Sequence, residues 1–158
     1  MPVDNQENAP THGTETEALM VKMAATCIGS AIKAYGVSLD YSVASLDGLE
    51  SVLDEMHREH LDRPISVEGM YARCIGLGAY VGEVLRKAVG GGTWQRNSEY
   101  GENTFPLILP ITGSIFPTSW CRKRIENGEG DNVAFKAKLA LSITQGKGPF
   151  GKGASGDE

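Results

Sequence analysis

The stretch Val67–Trp94, VEGMYARCIGLGAYVGEVLRKAVGGGTW, decides how this chain is read. Ser66 precedes it as a helix N-cap, with Glu68 near the positive end. Arg86 and Lys87 suit the negative end, and Gly90 supplies a left-handed stop. The spacing predicts one helix to about Val89. Gly69, Ala72, Cys74, Gly76, Gly78, Ala79 and Gly82 are all small. A glycine inside a helix costs roughly 1 kcal/mol relative to alanine. Gly76, Gly78 and Gly82 together therefore need a compensating gain, and close approach of another backbone supplies one. Cys74, Gly78 and Gly82 line one side; Ala72, Gly76, Ala79 and Glu83 line the next. The helix is expected to be central, with other elements packed tightly on it.

Upstream, residues 1–13 are polar with no apolar period and are expected to form an unstructured tail. Thr14-Glu15-Thr16-Glu17 is a capping box. Met20, Met23, Ala24, Cys27, Ile28, Ala31 and Tyr35 then recur at helical spacing, and Gly36 ends the helix. Ser42 or Ser45 caps a second helix. Leu46, Leu49, Val52, Leu53, Met56 and His60 form its inner face; Glu50, Asp54, Glu55, His57 and Arg58 lie mostly outward. Pro64 stops it.

Downstream the pattern turns to strands. One starts near Thr93-Trp94, the next spans 104–109 after an Asn/Ser/Gly-rich turn, and a third lies at 113–117. Pro106 and Pro110 suggest edges or irregular pairing. Thr118 or Ser119 caps a helix holding Trp120, Cys121 and Ile125, ended by Asn127-Gly128. Asp131 caps a last helix with Val133, Phe135, Leu139 and Ile143 inward. Residues 146–158 are glycine-rich and polar, a second expected tail. Helices and strands come in blocks, so residues 14–145 read as a single α+β domain: N-terminal helices on a small antiparallel sheet, then short C-terminal helices.

At 158 residues there is room for one domain. The net charge of −5 argues against a nucleic-acid surface, and the one basic cluster is Arg122-Lys123-Arg124. No apolar run approaches the ~18 residues of a membrane span, and the N-terminus carries acids without an apolar signal core. Cys27, Cys74 and Cys121 form neither a disulfide framework nor a metal knuckle, so a reduced cytoplasm is the expected setting.

Glu83 is the first candidate for chemistry. It lies among small residues on the central helix, and a buried carboxyl with a raised pKa can act as a general acid or base. The structural alternative is favoured: Glu83 accepts hydrogen bonds from a tryptophan N–H, a tyrosine or strand amides and locks helix to sheet. Cys121 follows a cap and precedes three cations, which would lower a thiol pKa and make a nucleophile. All three histidines, however, lie before residue 61. Glu50, Asp54 and His57 fall at i, i+4 and i+7 and are competent metal ligands; the plain reading is a charged, exposed face, and no metal or cofactor is expected. Gly90-Gly91-Gly92 sits at the wrong helix end for phosphate. The formal GxGxxG at Gly146–Gly151 follows a helix instead of a strand. Tyr80, Glu83, Trp94, Trp120, Arg122, Lys123 and Arg124 are the candidate binding residues, one or two exposed aromatics beside the basic cluster making a protein-binding anchor.

Several of these pieces recur together. Gly78-Ala79-Tyr80-Val81-Gly82-Glu83, Gly91-Gly92-Thr93-Trp94, Phe116-Pro117 and Lys123-Arg124-Ile125-Glu126-Asn127-Gly128-Glu129 with Asp131 resemble a family of small uncharacterised bacterial domains with the pattern GxYxGE, GGxW, FP, KRxxNGExD. The resemblance runs from about Leu39 to Phe135 and includes Leu39-Asp40-Tyr41-Ser42. It implies a bacterial origin and an α+β fold. Some similar small domains look like immunity or accessory proteins.

The sequence thus favours a non-enzymatic cytoplasmic protein that binds another protein, an immunity or accessory factor being one such protein. Two alternatives stay open: a small hydrolase-like enzyme using Glu83 with Arg122 or Cys121, and a homo-oligomeric structural protein, a homodimer being the simplest case.

Overall fold

The computed structural model describes the backbone of residues 2–146 and the side chains of residues 15–146. The fold is α+β. Three helices come first: α1 (Pro2–Tyr35), α2 (Ser45–Asp62) and α3 (Val67–Val89). A sheet of three short strands follows: β1 (Thr93–Trp94), β2 (Leu107–Leu109) and β3 (Gly113–Ile115), antiparallel in the order β1-β2-β3. Thr93 pairs with Ile108, Trp94 with Leu107, and Leu107 with Ile115. Two helices close the fold, α4 (Pro117–Asn127) and α5 (Val133–Thr144), joined through a 3-10 turn at Glu129–Asp131.

α3 is the central element. It packs against α1, α4 and α5, and its residues Leu77–Leu85 are buried without a break. Its ends are those the sequence predicts: Ser66 Oγ accepts from the Gly69 N–H at 3.0 Å, and Gly90 closes the helix at φ +72°. The small residues do what their cost requires. A Cβ on Gly78 would stand 2.6 Å from the backbone N and Cα of Thr118 at the start of α4. A Cβ on Gly82 would land on Cζ2 and Cη2 of Trp94. One glycine admits a helix backbone, the other an indole ring.

Several local expectations are corrected. α1 starts at Pro2, where a proline fits a first helical position, and not at Thr14. Glu17 closes no capping box, because its carboxylate accepts from Arg86 Nη2 at 2.6 Å. α4 starts at Pro117, again a proline at the first position, ahead of Thr118 and Ser119. α5 is capped by Asn132, whose side chain accepts from the Phe135 N–H at 2.8 Å, and not by Asp131. Its buried face is Val133, Ala134, Ala137 and Ala140, while Phe135 points outward. The Glu50 carboxylate holds the N–H groups of Val133 and Ala134, which fixes the helix's rotation with those two residues inward. The expected C-terminal tail lies, beyond Gly146, outside the described residues, and so does most of the formal GxGxxG.

The Gly82–Trp94 contact gives a direct expectation. Gly82→Ala should cost about 1–3 kcal/mol, as overpacking does, although alanine is the better helix former. Gly29→Ala, where the added Cβ meets open space, should be neutral or slightly stabilising. Urea unfolding of both variants checks the pair of signs.

Candidate functional site

Glu83 is buried at 4% exposure, and its Oε2 accepts from Trp94 Nε1 and from Arg86 Nη1, both at 2.8 Å. Arg86 in turn reaches Glu17. Trp94, Glu83, Arg86 and Glu17 thereby tie β1, α3 and α1 together. Glu83 and Arg86 also border a shallow concavity of about 240 Å³ at the end of α3, with Lys87, Gly90 and Gly91. Neither Cys121 nor Arg122 borders it, so the expected convergence of Glu83 with those groups is corrected.

Cys121 is fully buried, and burial pushes its thiol well above the usual value. The expectation of a lowered pKa fails because α4 turns Cys121 into the core while Arg122 and Lys123 face solvent. Among the expected binding residues, Tyr80, Glu83, Trp94 and Arg124 are buried, Trp120 is half-buried, and Arg122 and Lys123 are exposed. The expected patch is therefore reduced to Trp120, Arg122 and Lys123. Tyr80 has a structural task. Its hydroxyl stands 2.5 Å from Ser45 Oγ at the start of α2 and accepts from the Tyr41 N–H at 2.8 Å, while its ring stacks on Tyr41 with centroids 5.2 Å apart.

Arg124 anchors a second polar group. Its Nε donates to Glu50 Oε1 at 2.8 Å and its Nη2 to Asp54 Oδ1 at 3.0 Å. The Arg124 hydrogen bond holds the Asp54 carboxyl below the usual carboxylate range. His57 Nδ1 lies 2.7 Å from the Ile125 carbonyl. Glu50, Asp54 and His57, read as an exposed face with ligand spacing, in fact face α4 and α5. Their ligating atoms are bonded to Arg124, Arg58, Ile125 and the start of α5. Among the described residues no group of three metal-ligating side chains converges.

One feature was not legible as a site. Between α1, α2 and α3 lies an apolar groove of about 260 Å³, lined by Met23, Cys27, Ala31, Met56, Ala72 and Leu77 among others. Gly76 deepens it: a Cβ there would only reach ordinary contact with Met23 and Cys27. At its rim Arg73 Nη1 donates to Glu59 at 3.0 Å and the Tyr35 hydroxyl donates to the same carboxylate. Helical periodicity marks these residues as core, which they are in part. The only hint of an opening is the polar pair Thr26 and Ser30, four apart on the same flank of α1.

No protein-family model, curated protein or solved structure matches the chain. No helix among the described residues is long and apolar enough to cross a membrane.

Two measurements follow. Arg124→Ala removes the cation shared by two carboxylates, one of them, Glu50, nearly buried, and should cost about 3–5 kcal/mol. Arg122→Ala removes only an exposed pair with Glu126 and should cost under about 1 kcal/mol; chemical denaturation compares the two. Burial also pushes the Cys27 and Cys74 thiols from 9.0 up to about 12. A pKa raised in the folded state gives stability that is complete below about pH 9 and lost between 9 and 12. Each thiol adds up to about 1.4 kcal/mol per pH unit to that slope, so a Cys27→Ala/Cys74→Ala variant should lose stability less steeply over the same interval.

Proposed function

We propose that this chain is a binding protein that takes apolar side chains of a protein partner in the groove between α1, α2 and α3. The observation that carries the reading is the groove itself: an apolar, solvent-open hollow with a polar rim. Met23 and Met56 give walls that adapt to an incoming side chain. Ala72 and Gly76 give depth. The rim is neutralised internally by Arg73 and Glu59. A second, polar concavity of about 520 Å³ meets the groove at Arg73 and carries Glu59, Asp62 and Arg63. A partner with an apolar anchor flanked by polar residues of both signs suits this surface, since affinity concentrates in a desolvated centre ringed by weak contacts.

The fate of the other candidates supports the same reading. Glu83, Cys121 and the Glu50–Asp54–His57 set are each engaged in holding the fold together. The resemblance of the GxYxGE, GGxW, FP, KRxxNGExD pattern to small bacterial domains suits an immunity or accessory role. A reducing cytoplasm suits three buried free thiols.

Ala72→Phe tests the reading by filling the groove from an exposed position on α3. Pull-down from a native lysate should recover a stoichiometric partner with the unaltered chain and with Arg122→Ala. With Ala72→Phe, affinity for that partner should fall at least about tenfold while the melting temperature holds. Equal affinity for both would remove the groove from the function.

A further inference from the structure

Resting on that reading of the groove as an open apolar site, we propose that it also takes a medium-chain fatty acid, whose carboxylate replaces Glu59 on Tyr35 and Arg73. The groove is long and narrow. Its wall on α1 is Met23, Cys27, Ala31 and Tyr35, one face at four-residue spacing. At ~1.5 Å per residue that stripe spans ~18 Å. A volume of about 260 Å³ spread over such a length suits an unbranched chain better than a ring. A methylene takes ~30 Å³, close to a water molecule's share of liquid volume, so about eight or nine carbons fill it. Met23 and Cys27 stand beside Gly76 at one end. The polar groups stand at the other, around Tyr35 and Arg73.

Those groups already form a carboxylate station. The Tyr35 hydroxyl donates to Glu59 Oε2 at 3.2 Å, and Arg73 Nη1 donates to Glu59 Oε1 at 3.0 Å. Both donors line the groove, and Glu59 does not. One donor comes from α1 and one from α3, and they meet on a carboxylate reaching in from α2. The side chains of Arg73 and Glu59 are 38% and 46% exposed, and an ion pair so placed holds weakly. A carboxylate that arrives on an apolar chain adds the burial of that chain, so it outcompetes Glu59 for the same two donors. Glu59, once displaced, has Arg63 four residues on, in the adjoining polar concavity. The exchange therefore leaves each charge with a partner. An acid seated this way covers the hollow that a protein partner needs, so the two compete.

The experiment is titration of the full chain with octanoate, octanol and butyrate, followed by methyl NMR of Met23 and Met56. Octanoate should bind with a Kd below about 1 mM and move both signals. Octanol, which lacks the carboxylate, and butyrate, which lacks the chain, should each bind at least about tenfold more weakly. Arg73→Gln should weaken octanoate at least about tenfold and leave octanol unchanged, which shows the groove intact. Tyr35→Phe should weaken octanoate about two- to fivefold, and Glu59→Gln, which removes the competing carboxylate, should tighten it by a similar factor. Octanoate that binds no better than octanol, that leaves both methyl signals in place, or that ignores Arg73→Gln and Tyr35→Phe overturns the proposal. So does a Glu59→Gln variant that fails to tighten it. Partner capture is read separately, without added acid. If octanoate fails while Ala72→Phe still abolishes capture, only the acid is lost. If octanoate binds while Ala72→Phe keeps its partner, the acid site stands and the protein partner leaves the groove.

Discussion

Seating Trp94 on Gly82 is the constraint on which the rest of the molecule depends. The indole fits only because position 82 lacks a side chain. Once seated, it brings its N–H to Glu83, which would otherwise be a carboxylate buried beside β1 with Arg86 as its sole named donor. Arg86 is then placed to take Glu17 on α1. A single van der Waals fit thus sets where the sheet meets α3 and how α1 is fastened over both. The polar members repay their desolvation only because the fit is made.

A second assembly does for α2, α4 and α5 what the first does for α1, α3 and β1. Glu50 serves two partners at once, the Arg124 side chain and the first amides of α5. A carboxylate at a helix N-terminus is favoured by the free N–H groups and the positive end of the dipole. Arg124 neutralises that same carboxylate from the other side. Between the two assemblies lies α3, with glycine at the points where α4 and Trp94 come closest. Where α2 stands off from α1 and α3, the groove is what remains.

Much of this architecture was legible. Glycines spaced by four on one helix have few uses other than close approach, and both close contacts at Gly78 and Gly82 were implied by that arithmetic. The tie from Glu83 to a tryptophan N–H was likewise readable, because a carboxylate among small residues beside an aromatic strand needs a donor. Charged residues misled the reading. Arg124 sits in a run with Arg122 and Lys123, and nothing in the run says that the third faces inward. Glu50 and Asp54 look like an exposed face because their partners lie some seventy residues away. Local pattern carries no information about such pairs. Cys121 shows the same limit: cations adjacent in sequence do not surround a thiol that the helix turns into the core. The motif pieces prove mainly architectural, with Tyr80, Gly82, Glu83, Trp94 and Arg124 each holding two elements together.

The double engagement of Glu50 has a consequence for how the chain is made. Val133 lies 83 residues after the carboxylate that caps it. At synthesis rates of 5–20 residues per second, ~4–17 s pass between the appearance of Glu50 and that of its amide partners. Until Arg124 appears, α2 carries a carboxylate with neither its arginine nor its helix to meet, and the α2–α4–α5 assembly cannot close. The part of the fold built on α2, α4 and α5 should therefore stay open until α5 emerges. The α1–α3–β1 assembly, whose members are all made once Trp94 appears, can form first, and the α2–α4–α5 assembly follows.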